Sequence, residues 1–107
     1  MRPIAPANVR GLLERLMPTG RPTGQQIARL LNRSPKALQR ALLAEGSSFS
    51  GLLEQTRIGL ALRCVRDPDL PLSDVAQYLG FSDQSSFNRA FRRWTDATPR
   101  QYRESSL

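Results

Sequence analysis

The apolar residues of this chain recur every three or four positions, which is the spacing of an amphipathic α-helix. In residues 8–17, NVRGLLERLM, the apolar stripe consists of Val9, Leu12, Leu13, Leu16 and Met17. The sequence MPTGRPTG, which begins at Met17, holds two prolines and two glycines and therefore predicts a break. Residues 1–22 are expected to form an N-terminal segment that contains the first helix.

A second helix is predicted to begin after Thr23. Thr23 and Gln26 have the spacing of a capping box, in which each side chain accepts a hydrogen bond from the other residue's backbone N–H. Ile27, Leu30 and Leu31 are expected to face inward, because they recur at helical spacing.

A tight turn and a third helix follow. Asn32 adopts the left-handed conformation more readily than most residues, so the second helix is expected to end there. Ser34 is suited to cap the third helix and Pro35 to occupy its first position, and this helix runs to about Glu45. Its inward face consists of Leu38, Ala41 and Leu42, and its outward face of Lys36, Gln39, Arg40 and Leu43. Residues 23–47 therefore have the pattern of a helix-turn-helix unit.

One long helix is predicted for residues 48–66. It begins after a cap at Ser48, runs to about Arg66 and is closed by the sequence DPDLP. Its stripe consists of Phe49, Leu52, Leu53, Thr56, Leu60 and Cys64. A helix of this length between two small units is interpreted as a linker that fixes their separation.

Residues 71–95 repeat the pattern of residues 23–47. Ile27 corresponds to Val75, 48 positions later, and Asn32 corresponds to Gly80, the other residue type best suited to a left-handed turn. The further pairs are Ala28 with Ala76, Leu31 with Leu79, Ser34 with Ser82 and, after one inserted residue, Leu38 with Phe87, Gln39 and Arg40 with Asn88 and Arg89, and Leu42 with Phe91. Two units in register predict two helix-turn-helix subdomains. A last helix is predicted in residues 98–107, where TPRQ again has the spacing of a capping box.

The charge of the chain indicates the class of its partner. The 16 Lys and Arg residues exceed the nine Asp and Glu residues, which gives a formal charge of +7. A small domain of this charge is expected to bind a polyanion, and nucleic acid is the leading candidate. An anionic membrane surface is the alternative, but no apolar run approaches the ~18 residues of a membrane span. The N-terminal MRPIAPANVRG has no apolar signal-peptide core, so a cytoplasmic location is expected.

The residue types that carry most enzymatic chemistry are scarce. The chain has no histidine and one cysteine, Cys64, whereas zinc sites need several such ligands and most acid–base catalysis at neutral pH uses histidine. An enzyme, a metal site and a cofactor are therefore not expected. Cys64 is interpreted as a small buried apolar residue, with a redox or nucleophilic role as the alternative.

A resemblance to a known family is carried by the run LGFSDQSSFNRAFRRW and by the TP..YR that follows it. The segment from Thr23 to Arg103 resembles the DNA-binding domain of the AraC/XylS family of bacterial transcription regulators. The resemblance implies one all-α, homeodomain-like domain of about seven helices, with two helix-turn-helix subdomains joined by a central linker helix. It also implies that the second helix of each subdomain enters the major groove of double-stranded DNA, with the two helices one turn, or about 34 Å, apart.

Site residues follow from the positions that match the family and from the outward faces of the two second helices. The candidate base-reading residues are Lys36, Gln39 and Arg40 in the first unit and Gln84, Ser85, Asn88 and Arg89 in the second. Glutamine and asparagine pair with adenine in the major groove, and arginine and lysine with guanine. A solvated helix face is the alternative, and for Arg89 also a grip on phosphate or on a neighbouring carboxylate. Phe87, Phe91 and Trp94 are expected to pack in the core.

Contacts with the DNA backbone are expected from a second set of residues. These candidates are Ser34, Ser82, Arg92, Arg93, Thr98, Arg100 and Arg103. For Arg103, which follows Tyr102, an internal salt bridge is the alternative. Three positions depart from the family pattern: Asp96 replaces a glycine, Leu43 an often basic residue, and Pro71 a capping Ser or Thr. Asp96 is expected to adopt the left-handed conformation.

The expected function is that of a sequence-specific DNA-binding transcription regulator. The resemblance implies an activator that contacts RNA polymerase. Members of the family commonly carry an effector-binding or dimerisation domain as well, so these 107 residues are interpreted either as the DNA-binding part of a longer regulator or as a short single-domain member. A helical protein-interaction module without sequence-specific DNA binding is the alternative. RNA is less favoured, because the major groove of A-form RNA is too narrow for a recognition helix.

Overall fold

The computed structural model describes residues 4–17 and 22–106, and within these ranges the only regular structure is helical. The seven helices are α1 (Pro6–Leu16), α2 (Gly24–Leu30), α3 (Pro35–Ala44), α4 (Phe49–Val65), α5 (Leu72–Tyr78), α6 (Gln84–Thr95) and α7 (Pro99–Ser106). The predicted all-α fold is confirmed. The chain divides into two compact units, Met1–Thr56 and Arg57–Leu107, with the boundary inside α4. No helix of the described residues is both long and apolar enough to cross a bilayer.

In unit 1, α1 begins two residues before the predicted Asn8. Ala5 is its N-cap and Pro6 stands in its first turn, where the fixed φ of proline suits a helix and its missing N–H costs nothing. Val9, Leu13 and Met17 are buried, as the stripe predicts. The break that the sequence predicts at residues 18–21 lies outside the described residues.

The first helix-turn-helix follows the predicted capping. Thr23 Oγ1 accepts a hydrogen bond from the Gln26 N–H at 3.1 Å, and Gln26 Oε1 accepts one from the Thr23 N–H at 2.8 Å, so the capping box is confirmed. Asn32 is left-handed, with φ 57°, and the Arg33 N–H donates back to the Ala28 carbonyl at 2.8 Å. This six-to-one bond is the signature of a Schellman helix end, which reverses the chain toward α3.

One inward prediction for α2 is wrong. Leu30 is 58% exposed, whereas Ile27 and Ala28 are buried. Because Ile27 and Ala28 are both buried, the middle of the buried face of α2 lies between these two residues. Leu30 lies about 110° round the helix from the middle of that face, at 100° per residue. The small side chain at position 28 therefore decides which flank of the apolar stripe is covered.

The long helix α4 has the predicted cap, since Ser48 Oγ accepts a hydrogen bond from the Gly51 N–H at 3.1 Å. Its buried side chains are Leu52, Leu53, Thr56, Arg57, Leu60, Ala61 and Val65. Phe49 and Cys64, which were predicted to belong to the buried stripe, are only half-buried. Burial raises the pKa of the Cys64 thiol, with nearby Arg63 acting in the opposite direction. This thiol is therefore a poor nucleophile at neutral pH, in agreement with a packing role.

In unit 2 the second helix-turn-helix repeats the Schellman end at Gly80, whose φ is 83°. There the Phe81 N–H donates to the Ala76 carbonyl at 3.1 Å. The core around α6 is aromatic. Phe91 is fully buried, with ring centroids 5.7 Å from Phe87, 6.4 Å from Trp94 and 5.4 Å from Tyr102. These edge-to-face distances are in the range that favours aromatic pairs.

Candidate nucleic-acid interface

The outer face of α3 is exposed and carries mostly polar and cationic side chains. Ser34 Oγ accepts a hydrogen bond from the Ala37 N–H at 3.1 Å and so caps the helix, as predicted. Leu38 and Leu42 are buried, which turns the opposite side of the helix outward. The candidate base-reading residues of unit 1, Lys36, Gln39 and Arg40, are all exposed. Their amide, ammonium and guanidinium groups are the donors and acceptors that recognise base edges.

A basic concavity of about 440 Å³ lies beside the turn of unit 1. It is lined by Gln25, Arg29, Asn32, Arg33, Ser34 and Pro35. Arg29 and Arg33 are absent from the residues predicted from the sequence. The signal that could have identified them is their position on either side of the left-handed Asn32, because a turn brings neighbouring cations to one side. Arg29 is exposed, and its guanidinium is suited to phosphate.

The residue that caps α6 is not the serine that the internal repeat pairs with Ser34. Asp83, not Ser82, is the N-cap, and its Oδ1 accepts a hydrogen bond from the Ser86 N–H at 2.7 Å. Ser34 is thus the structural counterpart of Asp83, and the inserted residue lies before the cap. Ser82 is an exposed residue of the turn. The Ser86 N–H holds the pKa of the Asp83 carboxyl below its ordinary value, with smaller contributions from Arg89 and Ser82.

The outer face of α6 carries the second set of candidate base-reading residues. Gln84, Ser85 and Arg89 are exposed, as predicted. Arg89 Nη2 donates to Ser86 Oγ at 3.3 Å, and its charge acts on Asp83, so the alternative of a neighbouring carboxylate gains support. Asn88, which is predicted to lie outward with them, is instead half-buried, and its Oδ1 is buried without a hydrogen-bond partner. Asn88 stands beside the buried Phe87, at the edge of the outer face.

The candidate phosphate-binding arginines at the end of α6 and in α7 fall into two groups. Arg92, Arg93 and Arg100 are exposed. Arg103, in contrast, donates from Nε to the Val65 carbonyl at 2.9 Å and from Nη2 to the Leu70 carbonyl at 2.6 Å. Arg103 thus has an internal role, in which backbone carbonyls take the place of the predicted salt-bridge partner.

The end of α6 and the start of α7 are each fixed by local hydrogen bonds. Asp96 is left-handed, with φ 63°, and ends α6 by donating its N–H to the Arg92 carbonyl at 2.8 Å, as its place in the sequence predicts. Thr98 and Gln101 form the predicted capping box of α7, with bonds of 2.9 and 3.1 Å. Next to this cap lies a concavity of about 450 Å³, which is lined by Leu72, Ser73, Gln84, Arg100, Arg103 and Glu104.

Comparison with known proteins identifies the family of this arrangement. A family model described as a helix-turn-helix domain matches residues 27–105. The chain belongs to the AraC-type helix-turn-helix family. It is 47% identical over 93 residues to the HTH-type transcriptional regulator VirS of Mycobacterium tuberculosis, a match that covers 87% of this chain and 27% of that protein. It is 42% identical over 84 residues to the ornithine utilization regulator of Pseudomonas aeruginosa, covering 78% of this chain and 25% of that protein.

Solved structures give the same assignment. The crystal structure of a DNA-binding transcriptional dual regulator from Escherichia coli K-12 superposes with a TM-score of 0.88 at 28% identity, covering 99% of this chain and 95% of that one. The chain spans about a quarter of the length of the two curated relatives above. The superposition on the Escherichia coli structure shows that the fold is shared over nearly the whole chain.

One contact that helps to position α6 in this AraC-type chain is not predicted from the sequence. Arg57 is buried in α4, and its guanidinium carbon lies 3.9 Å from the centre of the Phe81 ring. Phe81 comes directly after the left-handed Gly80 and packs on Phe87, with ring centroids 5.4 Å apart. A cation over an aromatic face contributes about 0.5–2 kcal/mol. Arg57 therefore ties the turn of unit 2 to α4 and helps to fix the direction in which α6 leaves the turn.

Proposed function

We propose that this chain binds double-stranded DNA in a sequence-specific manner and regulates transcription. The observation that carries the proposal is the same in both units: a left-handed turn leads into a capped second helix whose outer face is polar and cationic. Membership of the AraC-type family and the net charge of +7 support the same conclusion.

Each second helix is assigned to one segment of the major groove. In unit 1, Gln39 and Arg40 read base edges, and Lys36 reads a base near the start of the helix. In unit 2, Gln84, Ser85 and Arg89 take this role, and Asn88 joins them only when its amide turns outward. Direct base contacts of this kind contribute sequence selection, whereas phosphate contacts contribute affinity.

The phosphate contacts of the proposal come from the exposed arginines and from two helix starts. Arg92, Arg93 and Arg100 supply charge in unit 2, and Arg29 is added in unit 1. Ser34 and Thr98 place helix N-termini, whose unpaired N–H groups attract phosphate. Ser82 contributes its hydroxyl from the turn. Arg103 is withdrawn from this set, because its Nε and Nη2 groups are bonded to backbone carbonyls.

The proposal extends to the direction of regulation: the chain recruits RNA polymerase and thereby activates transcription. Its support is the resemblance to the family, and run-off transcription with and without the chain tests it on a promoter that carries the selected site. An effector-binding or dimerisation domain outside the 107 residues stays a prediction.

The proposal is tested by selecting bound sequences from a random duplex pool and measuring Kd for the winners across a range of salt. We expect a defined site and a steep fall in affinity with salt, because bound phosphates release counterions. Gln39→Ala should mainly relax selectivity, whereas Arg93→Ala should weaken all DNA alike and reduce the salt slope by about one. A pool that returns no consensus, with retention insensitive to salt, would instead favour the protein-interaction module.

A further inference from the structure

The outer face of α3 contains one large apolar side chain among its polar ones. Leu43 is 72% exposed, the highest value among the large apolar residues that the structure describes. It lies four residues after Gln39 and three after Arg40, so the three side chains share one face of the helix. An uncovered leucine thus stands within the proposed base-reading surface.

Most of the accessible surface beside Leu43 is apolar, although serine and glutamine side chains also line it. Together with Pro35, Leu38, Gln39 and Phe49, Leu43 lines a groove of about 410 Å³ along the side of α3. Gln39 is therefore shared between this groove and the base-reading surface. Because the side chain of leucine carries no charge, Leu43 does not bind phosphate.

The equivalent position in unit 2 has the opposite chemistry. Because Leu42 corresponds to Phe91, Leu43 corresponds to Arg92, which is exposed. The same place on the two second helices thus holds an apolar group in one unit and a cation in the other. A role shared by both units, such as a backbone grip, does not account for Leu43.

We propose that Leu43 is a specificity-determining residue that contacts the 5-methyl group of a thymine. This inference rests on the proposed function, since it requires α3 to lie in the major groove. There the thymine methyl is the apolar group that base edges display. The four residues from Gln39 to Leu43 span about 6 Å at a rise of ~1.5 Å per residue. With base pairs about 3.4 Å apart, the thymine lies within about two base pairs of the base that Gln39 reads.

The experiment compares thymine with uracil, which differ at this position only by the methyl group. Each thymine of the selected site within two base pairs of the Gln39 contact is replaced in turn by deoxyuridine, and Kd is measured by anisotropy of labelled duplex. For the wild type, one replacement should weaken binding roughly fourfold, the value of one buried methyl group. Leu43→Ala should bind the thymine duplex roughly fourfold more weakly and no longer distinguish it from the uracil duplex.

Two control variants exclude a general loss of structure. Leu30→Ala removes the other strongly exposed leucine, which lies on α2, and should keep the wild-type ratio of the two Kd values. Leu43→Met keeps an apolar end and should retain most of that ratio. The role is overturned if Leu43→Ala keeps the ratio, or if the selected site has no thymine within reach. A chain that selects no duplex at all would overturn the proposed function together with this role, whereas methyl-independent selective binding would overturn this role alone.

Discussion

The two helix-turn-helix units reach the same backbone geometry with different side chains. Both reverse the chain through a left-handed residue with a Schellman bond, at Asn32 in unit 1 and at Gly80 in unit 2. Behind the second helix, however, unit 1 packs the aliphatic Leu38 and Leu42, whereas unit 2 packs an aromatic cluster. The comparison teaches that the turn and the cap define the motif, while the chemistry of the core is exchangeable.

Three arginines of unit 2 contact groups within the fold. Arg57 covers Phe81, Arg66 Nη2 donates to Tyr102 Oη at 2.9 Å, and Arg103 holds the Val65 and Leu70 carbonyls. Part of the positive charge of this unit therefore stabilises the fold. Counting arginines alone would overstate the charge available for DNA.

The largest expected effect concerns the aromatic core. Phe91→Ala should lower the free energy of unfolding by about 3–5 kcal/mol, because it leaves a cavity among three aromatic rings. Leu42→Ala, its counterpart in unit 1, removes a smaller side chain and should cost less, within the range of about 2–5 kcal/mol. Urea denaturation followed by far-ultraviolet circular dichroism measures both. A smaller loss for Phe91→Ala than for Leu42→Ala would contradict the expectation that the larger aromatic side chain contributes more to stability.

A second prediction separates the two kinds of arginine in unit 2. Arg103→Ala should lower the free energy of unfolding by about 2 kcal/mol, since two hydrogen bonds from a charged group to backbone carbonyls are lost. It should leave the salt slope of DNA binding unchanged. Arg100→Ala, a matched change on the same helix, should leave stability nearly unchanged and reduce the salt slope by about one. The opposite pattern in denaturation and salt titration would restore Arg103 to the phosphate contacts.

A third prediction exchanges the chemistry of the paired positions 43 and 92. Leu43→Arg should steepen the salt slope by about one, because one more phosphate is neutralised. It should at the same time remove the discrimination between thymine and uracil. Arg92→Leu should reduce the salt slope by a similar amount. Unchanged salt slopes in both variants would show that this position lies away from the DNA in either unit.

The smallest effect concerns the caps of the two second helices. The pKa of Asp83 is lowered by the Ser86 N–H, so its carboxylate stabilises the fold above its ordinary pKa, and this contribution is lost as pH falls through the lowered value. Asp83→Asn keeps a capping oxygen but does not titrate. As pH falls from about 5 to about 3, the Tm of the wild type should therefore decrease more than the Tm of Asp83→Asn. Ser34→Asn is the control, and its Tm difference should be independent of pH over the same range.

Local chemistry made much of this fold predictable from the sequence. The capping box at Thr23, the cap at Ser34 and the left-handed Asn32, Gly80 and Asp96 each depend on a few adjacent residues, and each is confirmed. The burial of Phe87 and Phe91 follows from helical periodicity in the same way.

The misses have a different physical origin. Periodicity locates an apolar stripe but not which flank of it is covered, and it therefore predicts an inward Leu30 where the structure has an exposed one. Serine and aspartate are equally good caps, so the position of the inserted residue was ambiguous and Asp83 was overlooked. The Arg57–Phe81 contact joins residues 24 positions apart, and no local pattern records it.

The uneven placement of aromatic residues has an optical consequence. The single tryptophan, Trp94, and both tyrosines, Tyr78 and Tyr102, lie in unit 2. Near-ultraviolet absorbance and intrinsic fluorescence therefore report on unit 2, while unit 1, with Phe49, is nearly silent. Unlabelled protein thus carries its own reporter for one half of the molecule, and a single tryptophan placed in α2 would supply the reporter for the other half.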